Sequence, residues 1–280
     1  TAHASEITDT NHFNLESRLE KINRSGHSRS KELDLQIILS TLENTDRLTG
    51  ENVFGFIEGT DLKSEIVVVS AHYDHLGILK NEMCRGADDD ASGTSAILEM
   101  ARTISEEVRH GKHLRRSILF MNTCGEEKGL LGSKWFVEHC FFPHNKIIVD
   151  LNVDMIGRID SLHEARGDSD YVYIISSLQD SDDLIKFNES VNKTSTGLVL
   201  DYKYSDPADP NAFYRRSDHY NFAKNNIPVI FYFNGVHEDY HKETDEVQKI
   251  DFNKMEKIVR LVFFAAWELA NRNEKIKVDK

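Results

Sequence analysis

Short apolar runs with few polar interruptions are the feature of this sequence that most restricts its fold. Several of them are continuous rather than alternating, which is typical of strands that are covered on both faces of a sheet. Helical spacing separates many of these runs, so the sequence predicts an α/β domain with a helical layer on each side of a sheet. The predicted strands are Leu33 to Leu39, Val53 to Ile57, Ile66 to Ala71, Ile118 to Asn122, Ile147 to Val153, Tyr171 to Ile175 and Val229 to Phe233.

Five segments have the apolar spacing of amphipathic helices, and three of them begin at a residue that can cap a helix, namely Ser92, Ser217 or Asp251. The segments are Ser92 to Val108, Gly132 to His139, Ser181 to Val191, Ser217 to Asn225 and Asp251 to Asn271. Two polar stretches without periodicity, Arg158 to Asp170 and Tyr202 to Arg216, are predicted to be long surface loops that line a site.

Charge and composition exclude some classes of function. The 280 residues include 34 basic and 47 acidic ones, and the net charge of −13 makes nucleic acid an improbable partner. The most apolar late stretch, Ile258 to Ala270, is interrupted by charges and is too short to cross a bilayer. Residues 1–30 are a polar lead-in, interpreted as a remnant of an upstream module, and residues 31–280 are expected to form one domain.

Metal-ligand residue types follow several predicted strands. His72-Tyr73-Asp74-His75 follows the strand from Ile66, Glu126 and Glu127 follow the strand from Ile118, and Asp154 follows the strand from Ile147. Open α/β sheets place their ligands at such carboxyl ends of strands. The spacing of His72 and Asp74 would let the aspartate support the imidazole.

Two further segments concentrate carboxylates and histidines. Asp88, Asp89 and Asp90 are adjacent before a predicted helix, and burying such a run costs free energy unless cations are bound nearby. The segment His237-Glu238-Asp239-Tyr240-His241, with Asp245 four residues on, follows the strand from Val229. A solvated acidic loop is the alternative interpretation of the aspartate run, and a surface or core role is the alternative for any single histidine.

In these motifs the sequence resembles the co-catalytic di-zinc aminopeptidases, a family that includes bacterial leucyl-type enzymes and is related to glutaminyl cyclases and glutamate carboxypeptidases. The resemblance spans roughly residues 50 to 271 and implies a three-layer α/β/α sandwich with a mixed, mostly parallel central sheet. The matching stretches are Ser70 to His75, Gly86 to Gly93, Gly125-Glu126-Glu127, Asn152 to Gly157, Ser217-Asp218-His219 and Tyr240-His241.

The resemblance implies a site for two zinc ions per chain. His72 and Asp154 would hold one ion, Glu127 and His241 would hold the other, and Asp89 would bridge the two. Nitrogen and oxygen ligands of this kind suit Zn²⁺.

The resemblance also implies catalytic roles. Two zinc ions would lower the pKa of a shared water molecule, and Glu126 would act as the general base that takes its proton. Asp74 would orient His72, and the hydroxyl of Tyr240 would stabilise the oxyanion, with packing against the loop as the alternative for this tyrosine. In relatives the peptide bond after the residue that matches Asp89 is cis. The expected substrates are peptides cut at their N-termini.

Three other functions stay open. A glutaminyl cyclase of the same fold would use one zinc, and a carboxypeptidase would need cations, for which Arg85, Arg158, Arg215 and Arg216 are available. A non-enzymatic metal-binding module is disfavoured because Glu126 and the whole ligand set are present.

The remaining expectations concern the surroundings of the site. The segment Ser217-Asp218-His219 is interpreted as structural rather than as part of a serine triad. Phe213, Tyr214, Phe231 and Tyr232 would allow an apolar substrate pocket. Kinship alone predicts an extracytoplasmic (periplasmic or secreted) location, and the oligomeric state is left open. A disulfide among Cys84, Cys124 and Cys140 is not required.

Overall fold

The structure, a computed structural model, describes residues 15–27, 49–176, 182–206 and 208–277. The chain divides into two compact units, Thr1–Leu48 and Thr49–Lys280. Helix α1, Leu15–Ser25, is the element described in the first unit. The predicted strand from Leu33 to Leu39 and the predicted boundary after residue 30 lie outside the described residues and stay predictions.

The second unit is built on a seven-stranded sheet with the order β1-β5-β2-β6-β9-β7-β8. Four neighbouring pairs are parallel, whereas β1 pairs with β5 and β7 pairs with β9 in antiparallel fashion. The predicted mixed, mostly parallel sheet is confirmed. Its strands are β1 (Val53–Ile57), β2 (Ile66–His72), β5 (Ser117–Thr123), β6 (Ile147–Val153), β7 (Tyr171–Ile175), β8 (Val199–Asp201) and β9 (Val229–Phe233), and a separate hairpin is formed by β3 (Gly77–Leu79) and β4 (Glu82–Cys84).

Helices cover both faces of the sheet, because its central strands are apolar on both sides. In β2, Val67 and Val69 pack in one core cluster with α2, α5 and α7, whereas Ile66 and Val68 pack in a second cluster with α3 and α6. The three-layer prediction is confirmed, and no helix of the described ranges is both long and apolar enough to cross a membrane. These helices are α2 (Ala91–Arg109), α3 (Leu131–Glu138), α4 (Ser161–Arg166), α5 (Asp182–Ser195), α6 (His219–Ala223) and α7 (Phe252–Asn271).

Two of the three predicted helix caps are wrong by one or two residues. Asp90, not Ser92, caps α2, since its carboxylate accepts a hydrogen bond from the N–H of Gly93 at 2.8 Å. Helix α6 is preceded by Asp218 rather than by Ser217. In both cases the hydroxyl of the predicted serine makes a hydrogen bond to another residue instead. The cap at Asp251 is confirmed.

The polar stretch from Arg158 to Asp170 is not a plain surface loop, because it contains helix α4 with Asp160 as its cap. His163 of this helix is buried, and its ring stacks on Tyr171 with ring centroids 3.3 Å apart. Its Nδ1 lies 2.8 Å from Asp160 Oδ1. His163 is therefore buried through polar and ring contacts, and such contacts produce no periodic pattern of apolar residues in the sequence. In the second predicted loop, Tyr202 to Arg216, Phe213 is also buried.

All three cysteines are free thiols, and Cys84 is buried while Cys124 and Cys140 are partly buried. Burial raises the pKa of the Cys124 thiol, and the negative charge of Asp74 nearby raises this pKa further. A thiol held in the neutral form is a poor nucleophile. We therefore interpret Cys124 as a small packing residue rather than as a nucleophile.

Replacing Asp251 with Ala is expected to lower the free energy of unfolding by about 1 kcal/mol. Its carboxylate accepts hydrogen bonds from the N–H groups of Asn253 and Lys254, each at 3.1 Å, at the start of α7. Urea unfolding followed by circular dichroism measures the loss. As a control, Asp251→Asn keeps the accepting oxygen and should lose much less. Equal losses in the two variants would show that the charge, not the cap, is responsible.

Candidate metal centre

The five predicted metal ligands converge at one edge of the sheet. His72 is the last residue of β2, Glu127 lies in the turn after β5, and Asp154 directly follows β6. Asp89 lies in the loop before α2, and His241 lies in the loop after β9. The strands β5, β2, β6 and β9 are neighbours and mutually parallel, so their carboxyl ends deliver these side chains to the same place.

Asp89 lies between two groups of ligands. Its Oδ1 is 3.1 Å from His72 Nε2, and its Oδ2 is 3.1 Å from His241 Nε2. On the first side, His72 Nε2 is 3.6 Å from Asp154 Oδ1, and on the second side His241 Nε2 is 3.4 Å from Glu127 Oε2. The arrangement is that of two half-sites with one shared carboxylate, as the resemblance implies.

Several atoms of these half-sites lack hydrogen-bond partners among the residues that the structure describes. His72 Nε2, His241 Nε2, Asp154 Oδ1 and Glu127 Oε1 are all buried and unsatisfied. Each such atom costs about 1–3 kcal/mol when nothing binds it. The donor set consists of imidazole nitrogens and carboxylate oxygens, the ligands that zinc takes in proteins. The residues therefore fit a pair of divalent cations.

The protonation equilibria of the site also indicate a need for positive charge. The nearby carboxylates of Asp89 and Glu127 raise the pKa of His241 to about 9. Burial alone would raise the pKa of Asp89, but the nearby rings of His241 and His72 outweigh burial and lower it. Burial raises the pKa of Glu126 to about 9, with the charge of Asp154 adding to the effect and that of His72 opposing it.

The three adjacent aspartates make different contacts, and of the three it is Asp89 that lies between His72 and His241. Asp88 Oδ1 accepts a hydrogen bond from the N–H of Gly157 at 2.6 Å, and its other oxygen is 3.3 Å from the ring of His237. Asp90 accepts a bond from the N–H of His72 at 3.2 Å. The peptide bond between Asp89 and Asp90 is cis, as the resemblance implies.

Asp245 fixes the main chain of the aspartate run. Its buried carboxylate accepts hydrogen bonds from the N–H of Asp88, at 3.0 and 3.1 Å, and from the N–H of Asp89 at 3.2 Å. Because Asp245 follows His241 by four residues, it ties the loops of two predicted ligands together. The sequence pattern includes Asp245 but does not predict its hydrogen bonds to the main chain.

Asp74 lies behind His72, but the bond differs in detail from the predicted one. His72 Nδ1 is 2.9 Å from the main-chain oxygen of Asp74, whereas the nearest carboxylate oxygen is 3.9 Å away. That carboxylate accepts a bond from the N–H of Glu126 at 3.2 Å. Asp74 therefore contacts both His72 and the predicted general base.

The segment Ser217-Asp218-His219 is buried around the site and is structural in its contacts. Ser217 donates to Asp154 Oδ2 at 2.6 Å, which explains why it does not cap α6. Asp218 accepts bonds from the hydroxyls of Thr123 and Ser133. His219 stacks on a pocket residue, Phe231, with ring centroids 4.7 Å apart.

A pocket of about 280 Å³ opens beside the half-sites. Glu126 and Tyr240 line it, and the Tyr240 ring stacks on His241 with ring centroids 3.8 Å apart. Of the four predicted pocket aromatics, Phe213 and Phe231 are part of the wall. Tyr232 instead donates a hydrogen bond to Asn188 at 2.7 Å, and Tyr214 packs beside His219. Met155, Phe233 and Val236 were not predicted and complete the apolar wall.

The four arginines near the motif loops divide into two pairs. Arg85 is bound to Glu246 at 3.1 Å, and Arg158 is bound to Asp239 at 2.8 Å. Arg215 and Arg216 both line the pocket. Arg216 Nη2 donates to the hydroxyl oxygen of Tyr240 at 3.1 Å.

Comparisons with known proteins agree with this geometry. The profile of peptidase family M28 matches residues 52–266. A probable leucine aminopeptidase of Arthroderma otae is 32% identical over 219 residues, which cover 75% of this chain and 56% of that protein. Aminopeptidase YwaD of Bacillus subtilis is 28% identical over 244 residues, 83% of this chain and 47% of that protein.

The fold is also that of solved structures. The structure of BSAP, a zinc aminopeptidase from Bacillus subtilis, matches with a TM-score of 0.63 and 24% sequence identity, over 82% of this chain and 53% of that one. The chain spans about half the length of the curated relatives it matches. Since the family profile covers well over half of the sequence, the chain belongs to peptidase family M28.

Proposed function

We propose that the chain is a zinc-dependent metallo-aminopeptidase, an exopeptidase that hydrolyses the N-terminal residues of peptides with two zinc ions per chain. The observation that carries the proposal is the pair of half-sites that share Asp89, with their buried ligand atoms unsatisfied. The names of the relatives, a probable leucine aminopeptidase and a zinc aminopeptidase, support it.

His72 and Asp154 would hold one zinc ion, Glu127 and His241 the other, and Asp89 would bridge them. When bound, such ions polarise a carbonyl group and lower the pKa of a water molecule to about 7. Proton transfer and hydrogen bonding to the substrate would be carried out by side chains of this protein.

Glu126 is positioned to move the proton. It lines the pocket, and its carboxylate lies with His72 and Asp154 in one group whose ligand atoms are within 4.8 Å of one another. We infer that Glu126 takes the proton of the attacking water and returns it to the leaving amine. Asp74, which accepts a bond from the N–H of Glu126, holds the turn that carries this base.

Tyr240 is suited to donate a hydrogen bond to the oxyanion. Arg216 already donates to the Tyr240 oxygen, so the hydroxyl hydrogen stays available for a substrate oxygen. The pKa of Tyr240 is raised, first by burial and then by the charge of Asp89, which keeps this hydrogen in place at neutral pH. A hydrogen bond that strengthens as charge develops lowers the reaction barrier.

The pocket wall supports an apolar N-terminal residue as substrate. Phe213, Phe231 and Phe233 line the pocket and belong to one hydrophobic cluster with Met155, against which Val236 packs. Burying an apolar side chain there would be favourable by about 25 cal/mol for each Å² removed from water. An extracytoplasmic location is proposed from kinship alone.

The carboxypeptidase alternative retains one supporting observation. Arg215 and Arg216 line the pocket, where they could bind a terminal carboxylate. A single-zinc cyclase is less well supported, because both half-sites have their ligands.

The first experiment is hydrolysis of a panel of aminoacyl anilides with and without a chelator. Activity should be lost with the chelator and return when zinc is added, with two zinc ions per chain at full activity. Peptides blocked at the N-terminus should resist cleavage, and peptides blocked at the C-terminus should be cut. The reverse preference would support a carboxypeptidase, and one bound zinc without hydrolysis of any of these substrates would support a cyclase.

Glu126→Gln is expected to lower kcat by about 10²- to 10⁴-fold, because the base and its proton are lost. Zinc content should not change. Glu138→Gln, on the exposed surface of α3, is the matched control and should keep normal activity. Undiminished peptidase activity in Glu126→Gln with zinc bound would refute the assignment of the base.

Tyr240→Phe is expected to lower kcat by about 10²-fold while KM changes little, since the bond to the oxyanion forms mainly in the transition state. Steady-state kinetics with a leucine anilide measures both constants. A change confined to KM would indicate that Tyr240 only packs in the pocket.

A further inference from the structure

His75 is a buried histidine that the proposed mechanism does not use. It lies three residues after His72 and its side chain is only 7% exposed. Neither of its ring nitrogens has a hydrogen-bond partner within the part of the chain that the structure describes. An imidazole buried in this way loses its bonds to water without replacement, at a cost of about 1–3 kcal/mol for each polar atom.

The ring of His75 is aimed into the second half-site. Its Nδ1 is 2.9 Å from Glu127 Oε1 and 3.8 Å from Asp89 Oδ2. These two atoms of His75 and Glu127 approach closely but are not in hydrogen-bonding geometry, since both remain unsatisfied. The placement of these two atoms suits a common third partner, such as a metal ion, better than a hydrogen bond between them.

We propose that His75 is a further ligand of the second metal ion, which it would bind through Nδ1 together with Asp89, Glu127 and His241. The proposal rests on the two-zinc site of the proposed function. It goes beyond the five ligands implied by the resemblance, because it gives the second ion four protein ligands and leaves the first ion with three, His72, Asp89 and Asp154.

The ligand atoms of His75, Asp89 and Glu127 all lie within 4.8 Å of one another, close enough to face one ion. Zinc bonds of about 2.0–2.1 Å at tetrahedral angles separate neighbouring ligand atoms by about 3.3 Å. The two contacts of His75 Nδ1 are 2.9 and 3.8 Å, and the two contacts of His241 Nε2 are 3.1 Å to Asp89 and 3.4 Å to Glu127. The separations lie on both sides of the expected value.

The loop at Gly86 packs against the ring of His75 because glycine has no side chain. A Cβ at Gly86 would lie 2.5 Å from His75 Cγ and 2.1 Å from the main-chain oxygen of Asp89, so only glycine allows the loop to pack on the ring. The φ of Gly86 is +64°, a value that other residues rarely adopt. The loop that carries Asp89 therefore contacts His75 directly.

The test measures zinc affinity by competition with a chromogenic chelator, in the full chain. His75→Ala should weaken the binding of one of the two zinc ions by at least about 10- to 100-fold, because the loss of a residue that only supports a metal ligand already lowers metal affinity by that much. The other ion should keep its affinity. His139→Ala, which removes an exposed histidine of the same chain, is the matched control and should bind both ions normally.

A second measurement distinguishes a metal ligand from a residue that only lies near the metal ion. In the cobalt-substituted protein, His75→Gln should change the visible absorption of one ion, and this variant covers the case in which the alanine variant does not fold. Unchanged affinities together with an unchanged cobalt spectrum would overturn the proposal. A wild type that binds two zinc ions but cleaves no peptide would refute the proposed function alone, and a wild type that binds only one ion would overturn the proposal for His75.

Discussion

The fold of this chain brings carboxylates and imidazoles into a buried place where they cannot satisfy one another. Asp89, Asp154 and Glu127 approach the rings of His72 and His241, yet several of the facing atoms have no hydrogen-bond partner. Burying charge in this way is unfavourable unless a counter-charge is present. The site is therefore suited to cations, and the raised pKa of His241, caused first by the neighbouring carboxylate of Asp89, reflects the same demand.

The main chain determines which carboxylates are free to bind a metal. Asp88 and Asp90 accept hydrogen bonds from N–H groups of Gly157 and His72, and Asp245 accepts bonds from the run itself. Three identical neighbours thus have three different environments. Only Asp89, in the middle, is directed at both histidine rings. Contacts of this kind explain why an acidic run can be buried beside other acids.

The sequence was sufficient to predict the sheet, but not the contacts that support the proposed ligands. Strands β6, β7 and β9 have the predicted bounds, because continuous apolar runs report burial on both faces. Strand β1 also has the predicted bounds, although it is a largely exposed strand at the edge of the sheet. Helix α4 was missed, since His163 is buried through polar and ring contacts. The bond from Ser217 to Asp154 and the direction of His75 depend on residues far apart in the chain, and no local pattern records them.

The order of the strands has a consequence for how the protein matures. The first and last proposed ligands, His72 and His241, are contributed by strand ends that become neighbours only when β2, β6 and β9 are assembled. An unfolded chain would have to close long loops before it could capture the same ions, at an entropic cost that grows with loop length. The proposed ligand set is therefore complete only in the assembled sheet, so binding of the proposed ions and folding of the sheet would be coupled.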